Sequence, residues 1–228
     1  GMFPPVLAQF LTGGSSTPLR KKNPLAVRPI VVGEADRRTA SKLGLRASRL
    51  RLVEYLSPLQ VGICVPNGGE AIIHSLQYLL DHEDCDGLYL LQVDNTNAFN
   101  LVSRTAMLQE VKSHCPQLLP WMTFCYQGVS RIYTTSSYFL NSGGVHQGDP
   151  LAGVGYALVQ HRLLRDGQAC FEEDFPPQSS STGFRECKDN SGDLSPHRLR
   201  LHSWYADDGS LMGTKEAVNW WIDWFESN

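Results

Sequence analysis

The stretch Trp204-Tyr-Ala-Asp-Asp-Gly-Ser210 places two adjacent acids at the end of a run of alternating residues. The side chains expected on one face of that run are Leu199, Leu201, Ser203 and Tyr205. This alternation predicts a half-buried strand, and Asp208-Gly209 is a typical hairpin turn sequence. Two interpretations of the acids stay open at this point. Asp and Gly are common in turns because they tolerate positive φ, whereas adjacent carboxylates can also form half of a metal site.

The composition is that of a globular protein. The chain has 228 residues, 42% of them hydrophobic, which is enough for a sizeable core in one domain or two small ones. Six cysteines are scattered without a C-x-x-C pair, so we expect reduced thiols in an intracellular protein of the nucleus or the cytoplasm. No apolar run approaches the ~20 residues of a membrane span, and we expect no membrane partner.

Positive charge is concentrated near the start of the chain. Residues 1–60 hold ten Lys or Arg residues and three Asp or Glu residues, although the formal net charge of the whole chain is -3. This distribution suits a protein whose N-terminal part binds a polyanion and whose remaining part binds metal ions. A solvated basic helix explains the same charges equally well, so both interpretations stay open. The sequence does not indicate an oligomeric state.

Extended and helical patterns alternate in the first half of the chain. Residues 20–32 are basic and then rich in proline and β-branched residues, which predicts a hairpin-like flap with a basic tip. Helices are predicted at 36–56 and, after the break at Pro66-Asn-Gly-Gly69, along a stripe that begins at Ile72. The run Gly87–Asp94 is nearly all apolar and ends on an acid, which predicts a strand buried on both faces.

The second half of the chain is predicted to be mainly helical. The helices are expected at 103–113, at 118–127, from Pro150 to about Leu164, and after Gly213. Residues 131–140 alternate in the manner of a strand, and 141–144 form a loop. Residues 166–196 are rich in Ser, Pro, Gly, Asp and Glu, which predicts a surface insertion or a mobile loop.

Three acids are expected at the ends of strands. If the strand that ends at Asp94 lies beside the hairpin that contains Asp207 and Asp208, the first carboxylate faces the other two. Such a cluster can hold two Mg²⁺ ions about 3.5–4 Å apart, which clamp the attacking and leaving oxygens of a phosphoryl transfer. The metal-site interpretation is therefore favoured over a simple turn.

Five segments resemble motifs of reverse transcriptases and occur in the family's order. The segment Asp94-Asn-Thr-Asn-Ala-Phe-Asn100 resembles the first palm motif, Gly143-Gly-Val-His-Gln-Gly-Asp-Pro-Leu151 resembles the second, and Tyr205-Ala-Asp-Asp208 resembles the third. Upstream, Arg28-Pro-Ile30 resembles the fingers motif of the branch that contains non-LTR retrotransposons and group II introns. The segment Val61–Glu70 resembles the glycine-rich segment that precedes the palm in non-LTR elements.

The resemblance implies a metal site and a reaction. Asp94 and Asp207 match the main Mg²⁺ ligands, with Asp208 beside them, and Mn²⁺ is a possible substitute for Mg²⁺. Asn95 matches a residue that lends its backbone carbonyl to the metal, so its side chain is expected to matter little. The implied reaction adds dNTPs to a primer 3′-OH on an RNA or DNA template.

The resemblance also implies residues that bind the nucleotide and select its sugar. Phe99 falls at the position of the steric gate, a ring under the sugar that collides with a ribose 2′-OH. Without the motif, a core aromatic is the ordinary interpretation of Phe99. Gln147 and Gly148 match the pair that lies against the incoming nucleotide and the template. The alternative for this pair is an ordinary loop before a helix, in which Gly serves the turn.

Two basic residues of the flap match the cations that hold the triphosphate in this family. They are Lys21 and Arg28, seven residues apart, and Lys22 could replace Lys21. An arginine grips phosphate with two hydrogen bonds, whereas a lysine acts as a point charge.

We therefore predict an α+β polymerase fold with fingers, palm and an antiparallel palm sheet. The expected divisions are an N-terminal extension at 1–19, fingers at 20–86 and a palm at 87–228, with the thumb and later domains missing. The expected activity is that of an RNA-directed DNA polymerase, a nucleotidyltransferase that is weak or inactive alone in this truncated form. The alternatives are a domesticated, non-catalytic module that binds nucleic acid or protein, and an RNA-dependent RNA polymerase. Phe99 disfavours the second because an RNA polymerase must admit the 2′-OH.

Overall fold

The computed structural model describes residues 5–20, 27–82, 87–176 and 198–228. The chain divides into two compact units, each built from two stretches of sequence. The first unit contains residues 1–57 and 96–159, and the second contains residues 58–95 and 160–228. Helices combine with a mainly antiparallel sheet in the described part of each unit, so the fold class is α+β. The extension, fingers and palm boundaries stay predictions.

The helices and strands of each unit are as follows. The first unit contains α1 (Pro5–Leu11), β1 (Gly14–Arg20), β2 (Val27–Gly33), α2 (Ala35–Leu56), α4 (Ala98–Leu101), α5 (Arg104–His114), α6 (Leu119–Tyr126), β4 (Ser130–Tyr133) and β5 (Tyr138–Asn141). The second contains α3 (Gly68–His82), β3 (Leu88–Asp94), β6 (Leu199–Tyr205), β7 (Asp208–Thr214) and α8 (Lys215–Ser227). Helix α7 (Ala152–Asp174) contributes residues to both units.

The sheet of the first unit has the strand order β2-β1-β4-β5. Strands β1 and β2 form the predicted hairpin, paired in antiparallel register from Gly14 opposite Gly33 to Arg20 opposite Val27. The hairpin begins earlier than predicted, since Gly14 to Leu19 belong to β1 and also fall within the predicted N-terminal extension at 1–19. Residues 21–26, which include Lys21 and Lys22 of the predicted basic tip, lie outside the described residues.

The single strand predicted at 131–140 is wrong, since this segment is a hairpin of β4 and β5. Thr134 and Ser137 close the turn: the Thr134 amide donates to the Ser137 carbonyl oxygen at 2.8 Å, and the Ser137 amide donates to Thr134 Oγ1 at 3.1 Å. Threonine favours strands, and the local side-chain hydrogen bonds by which Thr134 and Ser137 make a turn are not visible in an alternating pattern.

Helices α2, α5 and α6 confirm the predictions for the first unit. Helix α5 begins after Ser103, whose hydroxyl accepts a hydrogen bond from the Ala106 amide at 3.3 Å. The side chains of Met107, Val111 and Met122 are fully buried between these elements. Met107 and Met122 both lie against Gly155 of α7, where a Cβ would be 2.5 Å from Met107 Sδ and 3.2 Å from Met122 Cε.

The sheet of the second unit has the strand order β3-β7-β6, with both pairs antiparallel. The expectation that β3 is buried on both faces is wrong, because Tyr89 and Leu90 are each 50% exposed. The reason is tertiary: β3 is an edge strand among the described residues, and only Leu91 and Val93 pack against the core. An apolar run reports β propensity but not the position of a strand in its sheet.

Strand β6 is present, but its buried face differs from the predicted one. Trp204 is 1% exposed, whereas Tyr205, which had been placed on the apolar face, is 46% exposed. A register shift between Leu199 and Leu201 explains the change, because one extra residue moves every later side chain to the other face.

The turn after β6 lies two residues earlier than the Asp208-Gly209 signal predicts. The turn residues are Ala206 and Asp207, and Asp208 already begins β7. Gly209 instead packs flat on an indole, since a Cβ there would lie 2.7 Å from the Trp204 ring. The glycine is required by this close approach.

Helix α7 is longer than predicted and reaches Asp174 instead of ending near Leu164. The predicted insertion at 166–196 therefore begins with helix, and its residues 177–196 lie outside the described part. Phe171 anchors the extra turns, because it is 6% exposed and packs in a core formed by α7, β6, β7 and α8. Trp221 of the confirmed helix α8 lies in the same core.

Candidate active site

Two of the three predicted carboxylates meet at the end of the second unit's sheet. Asp94 is the last residue of β3 and pairs directly with Asp208, the first residue of β7. Directly opposed residues of an antiparallel pair have Cβ atoms about 4.5–5.5 Å apart. Asp207 lies in the adjoining two-residue turn, so the sequence-predicted acids form one group. Asp94 and Asp208 are exposed to solvent.

Asn95 belongs to the same group, with a contact that the sequence did not predict. Its side-chain amide donates a long hydrogen bond, 3.4 Å, to the backbone carbonyl oxygen of Asp207. The side chain thus links the end of β3 to the turn, although only its backbone had been expected to matter.

The turn itself is held by Gln60, a residue that the sequence analysis missed. Ala206 has a φ of 55°, which is unusual for a residue with a Cβ atom. Gln60 is fully buried and hydrogen-bonds both backbone polar groups of Ala206. The turn that carries Asp207 is therefore fixed by a side chain from a distant part of the sequence.

The donor set of this group fits a hard cation such as Mg²⁺. Carboxylate oxygens are the ligands that Mg²⁺ prefers, and one or two of them usually share the ion with water and substrate phosphates. In the described ranges, no three His, Cys, Asp or Glu side chains form a complete metal site. The fit therefore concerns the oxygen chemistry of the Asp94, Asp207 and Asp208 side chains, and a metal ion at this position stays a prediction.

The predicted nucleotide residues lie in the first unit. The ring of Phe99 is half-buried and stacks on Tyr156, with ring centroids 5.2 Å apart and an interplanar angle of 20°. The Phe99 carbonyl oxygen accepts a hydrogen bond from the Val145 amide at 2.7 Å. Phe99 is thus tied to the Gly143–Leu151 segment, and its ring packs on Tyr156 while the residue stays partly exposed to solvent.

Gly148 lies directly against strand β2. A Cβ at this position would be 2.3 Å from the Val31 carbonyl oxygen and 3.7 Å from the Ile30 side chain. Glycine is required here by the close approach of two backbones. Gln147 is half-buried beside it, and Arg28 is exposed on the same strand β2. The structure therefore joins two of the motif segments within one unit.

A buried polar network that the sequence analysis missed surrounds Gln147 and Gly148. Arg37 is 4% exposed and its Nη2 lies 2.6 Å from Asp149 Oδ2. Tyr126 donates its hydroxyl to the same oxygen at 2.9 Å, and Arg37 also contacts His146 Nδ1 at 3.2 Å. The residues on both sides of the Gln147-Gly148 pair are thereby fixed.

Burial and charge shift the pKa values of this network. Burial and then the guanidinium groups of Arg37 and Arg104 lower the pKa of His146 to about 3. Burial and then the Asp149 carboxylate raise the pKa of Tyr126 well above its usual value. His146 and Tyr126 are therefore neutral near pH 7, while Arg37 and Asp149 form the ion pair.

Arg104 holds the preceding loop in a similar way. Its guanidinium donates to the carbonyl oxygens of Gly144 at 2.7 Å, Gly128 at 2.8 Å and Gly143 at 3.2 Å, and to Asn141 Oδ1 at 3.1 Å. Five N–H donors in a rigid plane suit an arginine to this task. The loop before Gln147 is consequently anchored at both ends.

The missed residues share one property, which is that their partners are far away in sequence. Gln60 contacts Ala206, and Arg37 contacts Asp149. The only usable signal was helical spacing, because Arg37 lies on the same stripe of α2 as the buried residues Ser41 and Ser48.

The predicted site residues fall into two groups. Asp94, Asn95, Asp207 and Asp208 lie together in the second unit, whereas Arg28, Phe99, Gln147 and Gly148 lie in the first. Their functional roles stay predictions. Among the described helices, none combines the length and apolar character needed to cross a membrane.

Comparisons with known proteins connect this arrangement to one class of fold. No protein-family model matches the chain, and no curated protein sequence matches it. Solved structures do match. Telomerase from Candida albicans, in complex with the TWJ fragment of telomeric RNA, has a TM-score of 0.61 at 13% identity, covering 98% of this chain and 41% of that one. Apo telomerase from Candida tropicalis has a TM-score of 0.59 at 12% identity, covering 100% and 43%.

A further similar structure is apo telomerase from Candida tropicalis truncated from its C-terminal domain. It has a TM-score of 0.56 at 14% identity and covers 96% of this chain and 47% of that one. The chain thus spans less than half the length of these matched chains. Because the identities are low, the similarity concerns the fold. Telomerase is a reverse transcriptase-related enzyme, and this chain has a reverse-transcriptase-like fold.

Proposed function

We propose that the chain is the fingers-palm portion of an RNA-directed DNA polymerase similar to those of non-LTR retrotransposons. The observation that carries this proposal is the pairing of Asp94 with Asp208, beside Asp207, at the strand ends of a reverse-transcriptase-like fold. A polyanion-binding surface does not need clustered carboxylates, which repel phosphate. A nucleotidyltransferase does need them.

Asp94 and Asp207 would hold Mg²⁺, or Mn²⁺ in its place, with Asp208 and the Asn95 backbone beside them. When bound, the ion supplies Lewis-acid stabilisation of the negative charge on the reacting phosphate and of the primer 3′-oxygen. The chain itself contributes the positions of the carboxylates. The β3–β7 ladder determines the spacing of Asp94 and Asp208, and the 206–207 turn determines the position of Asp207.

Residues of the first unit would bind and select the nucleotide. The Phe99 ring would exclude a ribose 2′-OH, and the stacked Tyr156 would keep that ring rigid. Gln147 and Gly148 would lie against the nucleotide and the template. Arg28, with Lys21, would contact the triphosphate.

The proposed macromolecular partner is an RNA or DNA template paired with a primer. The telomerase of Candida albicans was solved with a fragment of telomeric RNA, which supports a nucleic-acid ligand for this fold. The excess of Lys and Arg in residues 1–60 supports the same class of ligand by charge.

Single-nucleotide addition tests the proposal. The chain is mixed in excess with a labelled primer on an RNA template, dNTP and Mg²⁺, and extension is followed over time. We expect slow addition that Asp94→Asn reduces by at least about a hundredfold, since one metal ligand is lost. The matched control is Asp223→Asn, an exposed acid of α8, which should leave the rate unchanged.

The outcomes separate the proposal from its alternatives. A chain that binds primer-template but adds no nucleotide, even in excess, would support a non-catalytic binding module. Preferred incorporation of ribonucleotides would indicate an RNA-dependent RNA polymerase. Extension that survives Asp94→Asn would refute the assignment of the carboxylates.

A further inference from the structure

We infer that Gln60 is a positioning residue that holds the Ala206–Asp207 turn in the conformation that presents Asp207. The inference rests on the proposed function only where it states what the turn is for, which is to present Asp207 to a metal ion. The hydrogen bonds between the Gln60 side chain and the backbone of Ala206 and Gly62 are called the grip below. They lie within the second unit, where Gln60 precedes α3 and the turn joins β6 to β7.

The side-chain amide of Gln60 uses all of its hydrogen-bonding capacity. Its Nε2 donates to the Ala206 carbonyl oxygen at 2.9 Å and to Gln160 Oε1 at 3.1 Å. Its Oε1 accepts from the Ala206 amide at 2.8 Å and from the Gly62 amide at 2.9 Å. Two donors and two acceptor sites are thus satisfied, and the reversed amide would place donors against donors.

The turn needs this support because of its backbone. Ala206 has a φ of 55°, a left-handed conformation that alanine adopts rarely because its Cβ crowds the following carbonyl. Gln60 pairs with both the N–H and the C=O of this residue, as a neighbouring strand would. Without these hydrogen bonds the left-handed conformation of Ala206 is no longer stabilised. Asp207 is the next residue, so its position would change with that of Ala206.

The backbone around Gln60 brings its side chain to the turn. The Trp204 amide donates to the Leu59 carbonyl oxygen at 2.7 Å, and the Val61 amide donates to the Trp204 carbonyl oxygen at 2.8 Å. A Cβ at Gly62 would lie 2.3 Å from the Ala206 nitrogen, so only glycine allows this approach. The segment therefore runs along the end of β6 in a fixed register.

Amide hydrogen exchange measured by NMR tests the grip without any enzymatic assay. In Gln60→Met, which keeps the length and removes the polar atoms, exchange at Ala206 and Gly62 should rise by about tenfold or more. The Leu211 amide in β7 should be unaffected, which excludes global unfolding. The matched control is Gln160→Met, which removes one neighbour of Gln60 but none of its bonds to backbone.

A conservative variant guards against a general packing defect. Measured near pH 5, where burial favours the protonated carboxyl, Gln60→Glu keeps an oxygen that accepts from Ala206 and Gly62 and an O–H that can donate to the Ala206 carbonyl oxygen, so it should restore part of the protection that Gln60→Met loses. Unchanged exchange at Ala206 in Gln60→Met would overturn the inference. Equal loss of protection in Gln60→Glu and Gln60→Met would overturn it as well.

Mn²⁺ binding in the presence of dNTP, followed by electron paramagnetic resonance, tests the purpose of the grip. We expect Gln60→Met to weaken the apparent affinity about tenfold, and Gln160→Met to leave it within about twofold. Binding equal to that of the unsubstituted chain would show that the grip does not serve the metal. If Asp94→Asn does not weaken Mn²⁺ binding, the proposed function fails, while the exchange data still decide the grip.

Discussion

The buried ion pair between Arg37 and Asp149 gives a sharp prediction for stability. The Arg37 side chain also donates to the carbonyl oxygens of Thr12 and Gly13, so one guanidinium joins α2, the two residues before β1 and the residue after Gly148. The perturbation is Arg37→Met, which preserves most of the side-chain volume and removes the charge. Among the described residues, the Asp149 carboxylate then keeps the Tyr126 hydroxyl and the Leu151 amide as hydrogen-bond partners.

The expected cost follows from burial. Both side chains are 3–4% exposed, and breaking a buried pair from one side costs about 3–5 kcal/mol because the remaining charge is uncompensated. Asp149→Asn should cost about 2–4 kcal/mol for the same reason. The double variant Arg37→Met/Asp149→Asn leaves no buried charge without a partner. Its loss of unfolding free energy should therefore be about 2–3 kcal/mol smaller than the sum of the two single losses.

Urea unfolding of the four proteins measures this coupling, provided that the slopes of the transitions agree. The exposed pair formed by Arg162 and Asp166 is the control, with atoms 3.9 Å apart and side chains that are 63% and 62% exposed. Its coupling should not exceed about 0.5 kcal/mol. Losses at Arg37 and Asp149 that add within about 0.5 kcal/mol would refute the argument from burial.

Three further perturbations test the site and its surroundings. Phe99→Ala should cost about 1–2 kcal/mol, less than a fully buried phenylalanine, and should admit ribonucleotides; urea unfolding and the dNTP-to-rNTP incorporation ratio measure the two effects. Burial lowers the pKa of His202 to about 3, and His146 has a similarly low pKa, so each histidine binds a proton more weakly in the folded than in the unfolded state. The free energy of unfolding therefore falls between pH 6.5 and about pH 3 by about 1.4 kcal/mol per pH unit for each histidine. His202→Gln should remove its own share, which is about half of the combined slope of the two histidines. Gly62→Ala should speed exchange at the Ala206 amide, because the added methyl collides with the turn.

Each of these three has an outcome that contradicts it. A Phe99→Ala variant that loses about 3–5 kcal/mol and keeps its selectivity would show an ordinary core residue. An unchanged pH slope in His202→Gln would mean that the imidazole can be protonated in the folded state. Gly128→Ala is the control for Gly62→Ala, since a Cβ there meets nothing within 4 Å. Similar effects of the two glycine substitutions would contradict the steric argument.

Local patterns in the sequence predicted the elements but not their surroundings. Helices α3 and α8 follow from apolar spacing and α5 follows from its N-cap Ser103, and both signals are properties of a few turns. The burial of β3 was wrong because an edge position depends on which strands pair, and the phase of β6 was wrong because a bulge near Arg200 has no sequence signature. The turn at Ala206 was shifted because cross-strand register, not turn propensity, determined it.

The same distinction applies to the candidate site. Asp94, Asp207 and Asp208 could be named from motifs, and the structure places them at one sheet end. Gln60 and Arg37 could not be named, because each acts through a partner more than a hundred residues away. Contacts of that kind are determined by topology, which no local pattern contains.

The antiparallel ladder that unites Asp94 with Asp208 also has a consequence for folding. Asn95 and Asp207 are separated by 112 positions, and the stretch 96–159 of the first unit lies between them. Closing so long a loop is entropically costly until the intervening chain has become compact. Strands β3 and β7 should therefore pair late and slowly, as expected for contacts of high sequence separation. A substitution that slows the collapse of the first unit would then also delay the pairing of Asp94 with Asp208, although the substituted residue makes no contact with either carboxylate.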